Sequence, residues 1–344
     1  MKQFNVAIVG ATGLVGQELI RILEERSFPV NSVRLYAADH SAGKKLFVKH
    51  QETAVRDIAP DSFRKIDIAF FSSGPEVSRY YAPLAVQNGA LVIDNSSTFR
   101  TDKDIPMVVP EVNVEDLKIH RGIISTPNCS TIQLALVLFP LHKLNPIKRI
   151  IVDTYQSVSG KDSAAIEELT TQIKQVLDGQ TAVTKVFPHQ IAFNLLPEVD
   201  VFLDSGETRE ERKILEETRK IMRSPEMAIS ATCVWTPVFV GHSQAVHVEF
   251  TRIISPEEAR RVLSASPGVR LLDDTTVSLY PQPWTVDGTN DCYVGRVRQD
   301  TSHKNGLAMW TVADNIRKGA ALNAVQIAEE MIRREWLIPR GVSL

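Results

Sequence analysis

The sequence predicts an α/β protein, with an N-terminal Rossmann-type dinucleotide-binding domain followed by an α+β domain built on a mixed sheet. Three observations lead there. The first half alternates short apolar runs with amphipathic segments, the pattern of a parallel sheet covered by helices. A glycine-rich turn, Gly10-Ala11-Thr12-Gly13-Leu14-Val15-Gly16, joins the first apolar run to the first amphipathic segment. Beyond Pro127 the chain changes to long strand-like runs separated by charged helices.

Taken in order, strands are expected at 5–10, 32–37, 66–72 and 90–95. Between the first two, Val15, Leu19, Ile22 and Leu23 recur at helical spacing against Glu18, Arg21 and Glu25, which completes a βαβ opening. A second helix over about 76–88 starts after the Gly74-Pro75 break and stops at Asn88-Gly89. Cys129 to Leu141 is apolar nearly all round and reads as a buried helix. Strands at 149–158, 227–236, 243–253 and 292–298, with helices at 161–178 and 207–223, make up the second domain. The final helix, from about 314, lines up Ala321, Val325, Ala328 and Ile332 in one stripe that needs a surface, and the first domain is the expected one. The dinucleotide-binding domain is therefore 1–127 plus 314–344, and the second domain 128–313.

At 344 residues, 43% of them hydrophobic, the chain can bury a large core in about two domains. Its 39 basic and 41 acidic residues are well mixed, leaving no basic stripe for nucleic acid. No apolar run approaches the roughly 20 residues of a membrane span, and MKQFNVAIVG reads as a strand start rather than a signal peptide, so the expected location is the cytoplasm. Three cysteines, at 129, 233 and 292, suit neither a disulfide framework nor a zinc site, and no metal is expected.

Glycines at a strand-to-helix turn let the backbone approach a pyrophosphate and expose helix N–H groups, although such a turn also needs glycine conformationally. After the second strand, Ala37-Ala38-Asp39-His40-Ser41-Ala42-Gly43-Lys44 mixes an acid that favours NAD with Ser41 and Lys44, which can hold a 2′-phosphate. Asp39 and His40 equally suit the role of turn residues. Cys129 opens the buried helix, where the helix terminus favours thiolate. His242 sits in a Gly-His-Ser turn beside a strand, within reach of general acid or base work. Chemistry alone leaves Cys129 open between a nucleophile and a small buried hydrophobe. Arg100, closing DNSSTFR beyond the fourth strand, suits a bidentate oxyanion or a solvated surface.

Many ordered segments resemble the aspartate-β-semialdehyde dehydrogenase family: GATGLVG, SAGK at 41–44, DNSSTFR at 94–100, VVPEVN at 108–113, PNCST at 127–131, YQSVSG at 155–160, FPHQIAFN at 187–194, ETREERK at 207–213, GHSQAVHVEF at 241–250 and DNIRKGAALNAVQIAEE at 314–330. The resemblance covers essentially the whole chain. It implies reductive dephosphorylation of aspartyl phosphate to aspartate semialdehyde with NADP, NAD remaining an alternative, through a thioester on Cys129. By the same resemblance His242 moves protons, Gln156 orients the acyl group, Arg100, Asn128 and Lys213 hold phosphate, and Glu210 meets the substrate amino group. Gly10, Thr12, Gly13, Leu14, Val15, Ser41, Ser72, Gly160 and Asn323 are the implied cofactor residues. The family implies a homodimer or homotetramer joined through the second domain, with the acyl phosphate or aldehyde and inorganic phosphate as partners.

The chain departs from the family at three places. Trp235 stands where the family places an arginine that grips the substrate α-carboxylate, and an indole offers one N–H in place of a bidentate cation. Losing such a contact removes about 1.5–3 kcal/mol of binding. Either Arg296 or Lys161 supplies the charge, or the substrate lacks that carboxylate. His40 and Ala38 replace residues of the family's 2′-phosphate turn, and Lys161-Asp162 replaces small residues after Gly160. Two rival readings follow: a paralogue reducing another acyl phosphate or acyl-CoA, and a catalytically idle binding subunit. Retention of Cys129, Gln156 and His242 speaks against the second.

Overall fold

In β1 (Phe4–Val9) alternate side chains serve two different cores: Val6 and Ile8 enter one cluster, Ala7 and Val9 the other. A strand buried on both faces has to be apolar throughout, and this one is. The same split recurs in β5 (Ile68–Phe71), with Ile68 and Phe70 on one side and Ala69 and Phe71 on the other. The computed structural model of the chain describes residues 2–37 and 41–337. They divide into two units, Met1–Asn128 with Ala320–Leu344, and Cys129–Gly319.

The first unit holds a seven-stranded sheet. After β1 come α1 (Leu14–Glu25), β2 (Val30–Ala37), the hairpin β3 (Lys45–Val48) and β4 (Gln51–Asp57), then β5, α2 (Pro75–Gln87), β6 (Leu91–Asp94), the single turn α3 (Pro110–Asn113) and β7 (Ile123–Ser125). The order across the sheet is β3-β4-β2-β1-β5-β6-β7, parallel except for β3. Parallel pairing of β2, β1, β5 and β6 brings their carboxyl ends to one edge, where ligands of such folds bind. The hairpin was not anticipated, because its strands are polar and half exposed and carry no clean alternation. The last helix of the chain, Leu322–Arg333, buries Leu322, Ala324, Val325, Ile327, Ala328 and Met331 in the same cluster as Leu19, Ile22 and Leu23 of α1.

In the second unit α4 (Cys129–Leu144) is buried all round, as its sequence requires. It is followed by β8 (Ile147–Ser157), α5 (Ser163–Leu177), α6 (Arg209–Ile221), β9 (Ala228–Thr236), β10 (His242–Phe250), α7 (Pro256–Ser264), β11 (Val269–Leu271), the turn α8 (Pro283–Val286), β12 (Cys292–Gln299) and β13 (Gly306–Ala313). The sheet order is β11-β12-β13-β10-β8-β9, with parallel β8-β9 and β11-β12 pairs and antiparallel neighbours elsewhere. Helix starts follow capping chemistry: Asp162 accepts the N–H of Ala165, Ser255 that of Glu258, and Thr208 with Glu211 forms a reciprocal box. One face of the sheet packs on α4, α6 and α7. On the other, Ile151, Asp153 and Tyr155 of β8 and Ala245, His247 and Glu249 of β10 stay partly exposed.

The final helix, α9 (Leu322–Arg333), begins at 322 and not near 314 as expected. The Asp314 carboxylate takes the N–H groups of Ile316, Arg317 and Gly288, which holds the backbone out of α-helical geometry. A π turn over 317–321 then leads into the helix.

Candidate active site

The strand register of the second unit sets out the site. Gln156 on β8 pairs with Trp235 on β9, and Tyr155 pairs with Ser243, so Gln156 is level with His242 at the start of β10. Three of the expected or singled-out residues thus form a row across one end of the sheet. Gln156 is buried and its amide donates to Oε1 of Glu210 at 3.2 Å and to Thr154 at 3.3 Å. Glu210 lies in the first turn of α6, with Lys213 one turn later. The Lys213 ammonium is 2.7 Å from Asp200 and 3.5 Å from Glu210, so Glu210 and Lys213 belong to one ion-pair network.

Cys129 is the first residue of α4, half-buried. Its Cβ lies 2.8 Å from the place a Cβ on Gly319 would take, so only glycine fits beneath the thiol. The other two cysteines are buried in strands as expected, and burial pushes both thiols up. Cys233 is also raised by Glu210, Glu211 and Cys129. It therefore sits within electrostatic reach of the site but is held as an inert thiol.

His242 is enclosed, and burial pushes its pKa down to about 3, so the imidazole is neutral at ordinary pH. Its Nδ1 accepts the backbone N–H of Ser157 at 3.1 Å, while Nε2 is buried without a partner. Gly160, expected on the cofactor, packs against this ring: a Cβ there would lie 2.8 Å from His242 Cε1, 2.9 Å from Nε2 and 3.5 Å from Trp235 Cζ3.

Trp235 is buried, edge-on to Phe187 with ring centroids 5.7 Å apart. Lys161 lies over that Phe187 ring, its ammonium 5.2 Å from the centroid and donating to the Val186 carbonyl. Asp162 is the cap of α5. Arg296 is not near the row. Cys292 is level with His242 through Ala313, and Arg296 lies four residues further along β12, two strands away from β10, with its N–H on Asp273. Of the two cations considered to compensate for Trp235, Lys161 is the one that lies over a ring, Phe187, that Trp235 meets edge-on.

In the first unit the three glycines separate by function. Gly10 has φ +85°, and a Cβ would come 2.6 Å from the Ser72 carbonyl; one on Gly16 would come 2.1 Å from the Gly10 carbonyl. Both are demanded by the close packing of strand and helix. Gly13 meets nothing nearer than 3.5 Å and caps α1, whose first turn, beginning with Leu14 and Val15, carries neither a side-chain cap nor an acid. The helix N-terminus is open to an anion. Gln17 binds the Thr12 carbonyl, and Ser72 binds those of Val9 and Gly10, steadying the turn. Asn323, on α9, donates to the Val108 carbonyl and leaves its buried Oδ1 without a partner. An open helix terminus and an orphaned amide oxygen in one Rossmann-type unit fit a dinucleotide.

A pocket of about 480 Å³ at the carboxyl end of β2, lined by Ala37, Asp57, Ile58, Glu76, Val77, Tyr80 and Tyr81, was not foreseen; no sequence signal marked it. Ser41 is buried in the turn beyond β2 and its carbonyl accepts the Lys44 N–H. Ala38, Asp39 and His40, on which the cofactor argument turned, lie outside the described residues. Arg100 is buried in the loop after β6 and binds the Asn95 carbonyl, and buried Asn128 ends the unit. Asp94 beneath that loop is raised by burial, against the lowering effect of Ser96 and Ser78. Among the described residues there is no group of three or more His, Cys, Asp or Glu side chains fit for a metal, and no helix long and apolar enough to cross a membrane.

A dinucleotide fold in one unit, and in the other a helix-terminal thiol with a buried amide and imidazole, equip a nicotinamide-dependent oxidoreductase. Comparison with known proteins agrees. Residues 5–120 match the semialdehyde dehydrogenase NAD binding domain, and residues 138–318 the semialdehyde dehydrogenase dimerisation domain. The chain is 50% identical to aspartate-semialdehyde dehydrogenase of Aquifex aeolicus, over 96% of its own length and 98% of that protein. It is 45% identical to the Bacillus subtilis enzyme of that name, over 95% and 97%. Among solved structures, aspartate semialdehyde dehydrogenase II from Vibrio cholerae complexed with ASA superposes with a TM-score of 0.94 at 45% identity, covering 97% of this chain and 99% of that one. The chain belongs to the aspartate-semialdehyde dehydrogenase family.

Proposed function

We propose that the chain catalyses NADP-dependent reductive dephosphorylation of L-aspartyl-4-phosphate to L-aspartate-4-semialdehyde through a thioester on Cys129. The observation that carries this reading is the row at the sheet edge: Gln156 level with His242, whose buried Nε2 lacks a partner. The Cys129 thiolate attacks the acyl carbon, a C–S bond forms, the C–O bond to phosphate breaks, and phosphate leaves with the bonding electrons. Arg100, Asn128 and Lys213 hold the phosphate, and Glu210 meets the substrate ammonium. Gln156 orients the acyl group, and His242 moves the protons. When bound, the reduced dinucleotide supplies the hydride that takes the thioester to the aldehyde level. Gly10, Thr12, Gly13, Leu14, Val15, Ser41, Ser72 and Asn323 hold that cofactor. Gly160 belongs with them and also seats His242.

A homodimer or homotetramer working in the cytoplasm belongs to the same proposal, with the partly exposed face of β8 and β10 as its interface. The match to a dimerisation domain supports it, and molecular mass in solution tests it. Trp235 favours one other reading, a substrate without the α-carboxylate, because the indole fills the place beside Gln156 with an apolar surface.

The deciding assay is phosphate-dependent oxidation of aspartate semialdehyde, run with NADP and NAD beside a panel of other aldehydes. Turnover with aspartate semialdehyde, abolished by Cys129→Ser, is the expected result. Full activity in Cys129→Ser removes the covalent route, and turnover of other aldehydes alone transfers the site to the second reading.

A further inference from the structure

Behind His242, on the side away from its unpartnered Nε2, lies a closed set of polar groups that the reaction scheme leaves without a task. Asn315 Oδ1 accepts the Gly241 N–H at 2.9 Å. A backbone N–H only donates, so this contact fixes which end of the Asn315 amide is oxygen. The amide nitrogen then donates to Ser159 Oγ at 3.0 Å, and Ser159 Oγ lies 3.2 Å from Ser157 Oγ. Ser157 Oγ is 3.0 Å from both Asn315 Oδ1 and His242 Nδ1. All four side chains are buried.

Counting protons leaves one consistent arrangement at the ring. Ser157 presents its backbone N–H to Nδ1 at 3.1 Å, and that donor cannot reverse. A proton on Nδ1 would set two N–H groups against each other and leave a buried donor without an acceptor. With Nδ1 bare, the Ser157 hydroxyl is the second donor in reach of that nitrogen, its proton shared between Nδ1 and Asn315 Oδ1, each 3.0 Å away. Its oxygen accepts from Ser159, and Asn315 keeps the whole set in place from the residue preceding His242.

We infer that Ser157 and Asn315 are positioning residues that hold His242 as the Nε2–H tautomer, so that the catalytic ring faces the acyl group as a hydrogen-bond donor. A donor at Nε2 stabilises negative charge growing on the acyl oxygen, whereas the opposite tautomer would turn a lone pair toward it. This inference rests on the reading of His242 as the group that meets the acyl oxygen.

The test is 15N NMR of the histidine ring nitrogens in the full-length protein, beside steady-state kinetics, for wild type, Ser157→Ala, Ser157→Thr and Asn315→Asp. In wild type the expected spectrum is a neutral His242 protonated at Nε2. Ser157→Ala keeps the backbone donor and loses the hydroxyl, so the ring should stay Nε2–H while its Nδ1 resonance shifts on losing the second hydrogen bond, and kcat should fall about 10-fold with KM unchanged. Ser157→Thr, which restores a hydroxyl, should restore both. Asn315→Asp should draw the Ser157 proton away from the ring and shift the Nδ1 resonance in the same direction as Ser157→Ala. If that variant does not fold, the serine pair decides alone. A wild-type His242 protonated at Nδ1, or a Ser157→Ala protein unchanged in both signal and kcat, overturns the inference. The ring spectrum needs no turnover: an Nε2–H signal in a protein that turns over no aldehyde would refute the proposed function and leave the tautomer assignment standing.

Discussion

Replacing Gly160 by alanine probes the site with a single methyl group. The added Cβ would stand 2.8 Å from His242 Cε1 and 2.9 Å from Nε2, where ordinary contact begins at 3.4 Å. The ring or the 158–160 turn must therefore yield by 3.4 − 2.8 = 0.6 Å. The imidazole has no easy retreat, because it is fully enclosed and tethered at Nδ1 by the Ser157 N–H. Trp235 Cζ3, 3.5 Å from the same point, closes the neighbouring space. With His242 in its proposed role, a displacement of this size lowers kcat by roughly 10²-fold, about 2.7 kcal/mol of transition-state stabilisation. Overpacking of this kind destabilises the fold by about 1–3 kcal/mol. Steady-state kinetics with thermal unfolding measures both effects. A Gly160→Ala protein keeping more than half the wild-type kcat and an unchanged Tm would refute this view of the glycine as the seat of the imidazole.

Three further outcomes follow from the same contacts. Gly13→Ala should leave Tm nearly unchanged and weaken dinucleotide binding, whereas Gly16→Ala, whose Cβ would meet the Gly10 carbonyl at 2.1 Å, should lower Tm sharply; equal Tm losses would contradict the division of labour in the loop. Trp235→Arg should raise kcat/KM for aspartate semialdehyde about 10-fold or more over other aldehydes, as a bidentate contact is worth about 1.5–3 kcal/mol; an unchanged preference would show that Lys161, beside Phe187, already serves the carboxylate. Burial holds His242 neutral down to about pH 3 while its unfolded value stays near 6.5, so below pH 6.5 the unfolded state binds the extra proton. Its part of the stability is therefore intact above pH 6.5 and falls by roughly 1 kcal/mol per pH unit toward pH 3. Chemical denaturation of wild type and His242→Gln across that window checks the sign, and parallel slopes in the two proteins would refute it.

Features set by neighbours along the chain were legible in the sequence. The apolar run of β1, the helical spacing in α1, the all-round apolarity of α4 and the glycines between Gly10 and Gly16 each state a local geometry, because backbone period and burial act over a few residues. Cys129 at a helix start was readable for the same reason. The β3-β4 hairpin escaped because its strands bury little and take their partner from β2. The late start of α9 escaped because Asp314 captures the backbone N–H groups of Ile316 and Arg317 together with that of distant Gly288.

Tertiary structure alone decided the inner organisation of the site. That Gln156, Trp235 and His242 stand level is a matter of strand register, and register depends on pairing between residues as far apart as Tyr155 and Ser243, 88 positions along the chain. The substitution at Trp235 was visible in the sequence, but not its burial against Phe187, nor that Lys161 packs on that phenylalanine while Arg296 lies two strands from His242. Gly160 read as a cofactor residue from its motif, and only packing revealed the imidazole above it. Asn315 and Ser157 carried no signal of a shared task. They are 158 residues apart, and hydrogen bonds between distant buried groups leave no periodicity for a sequence to display.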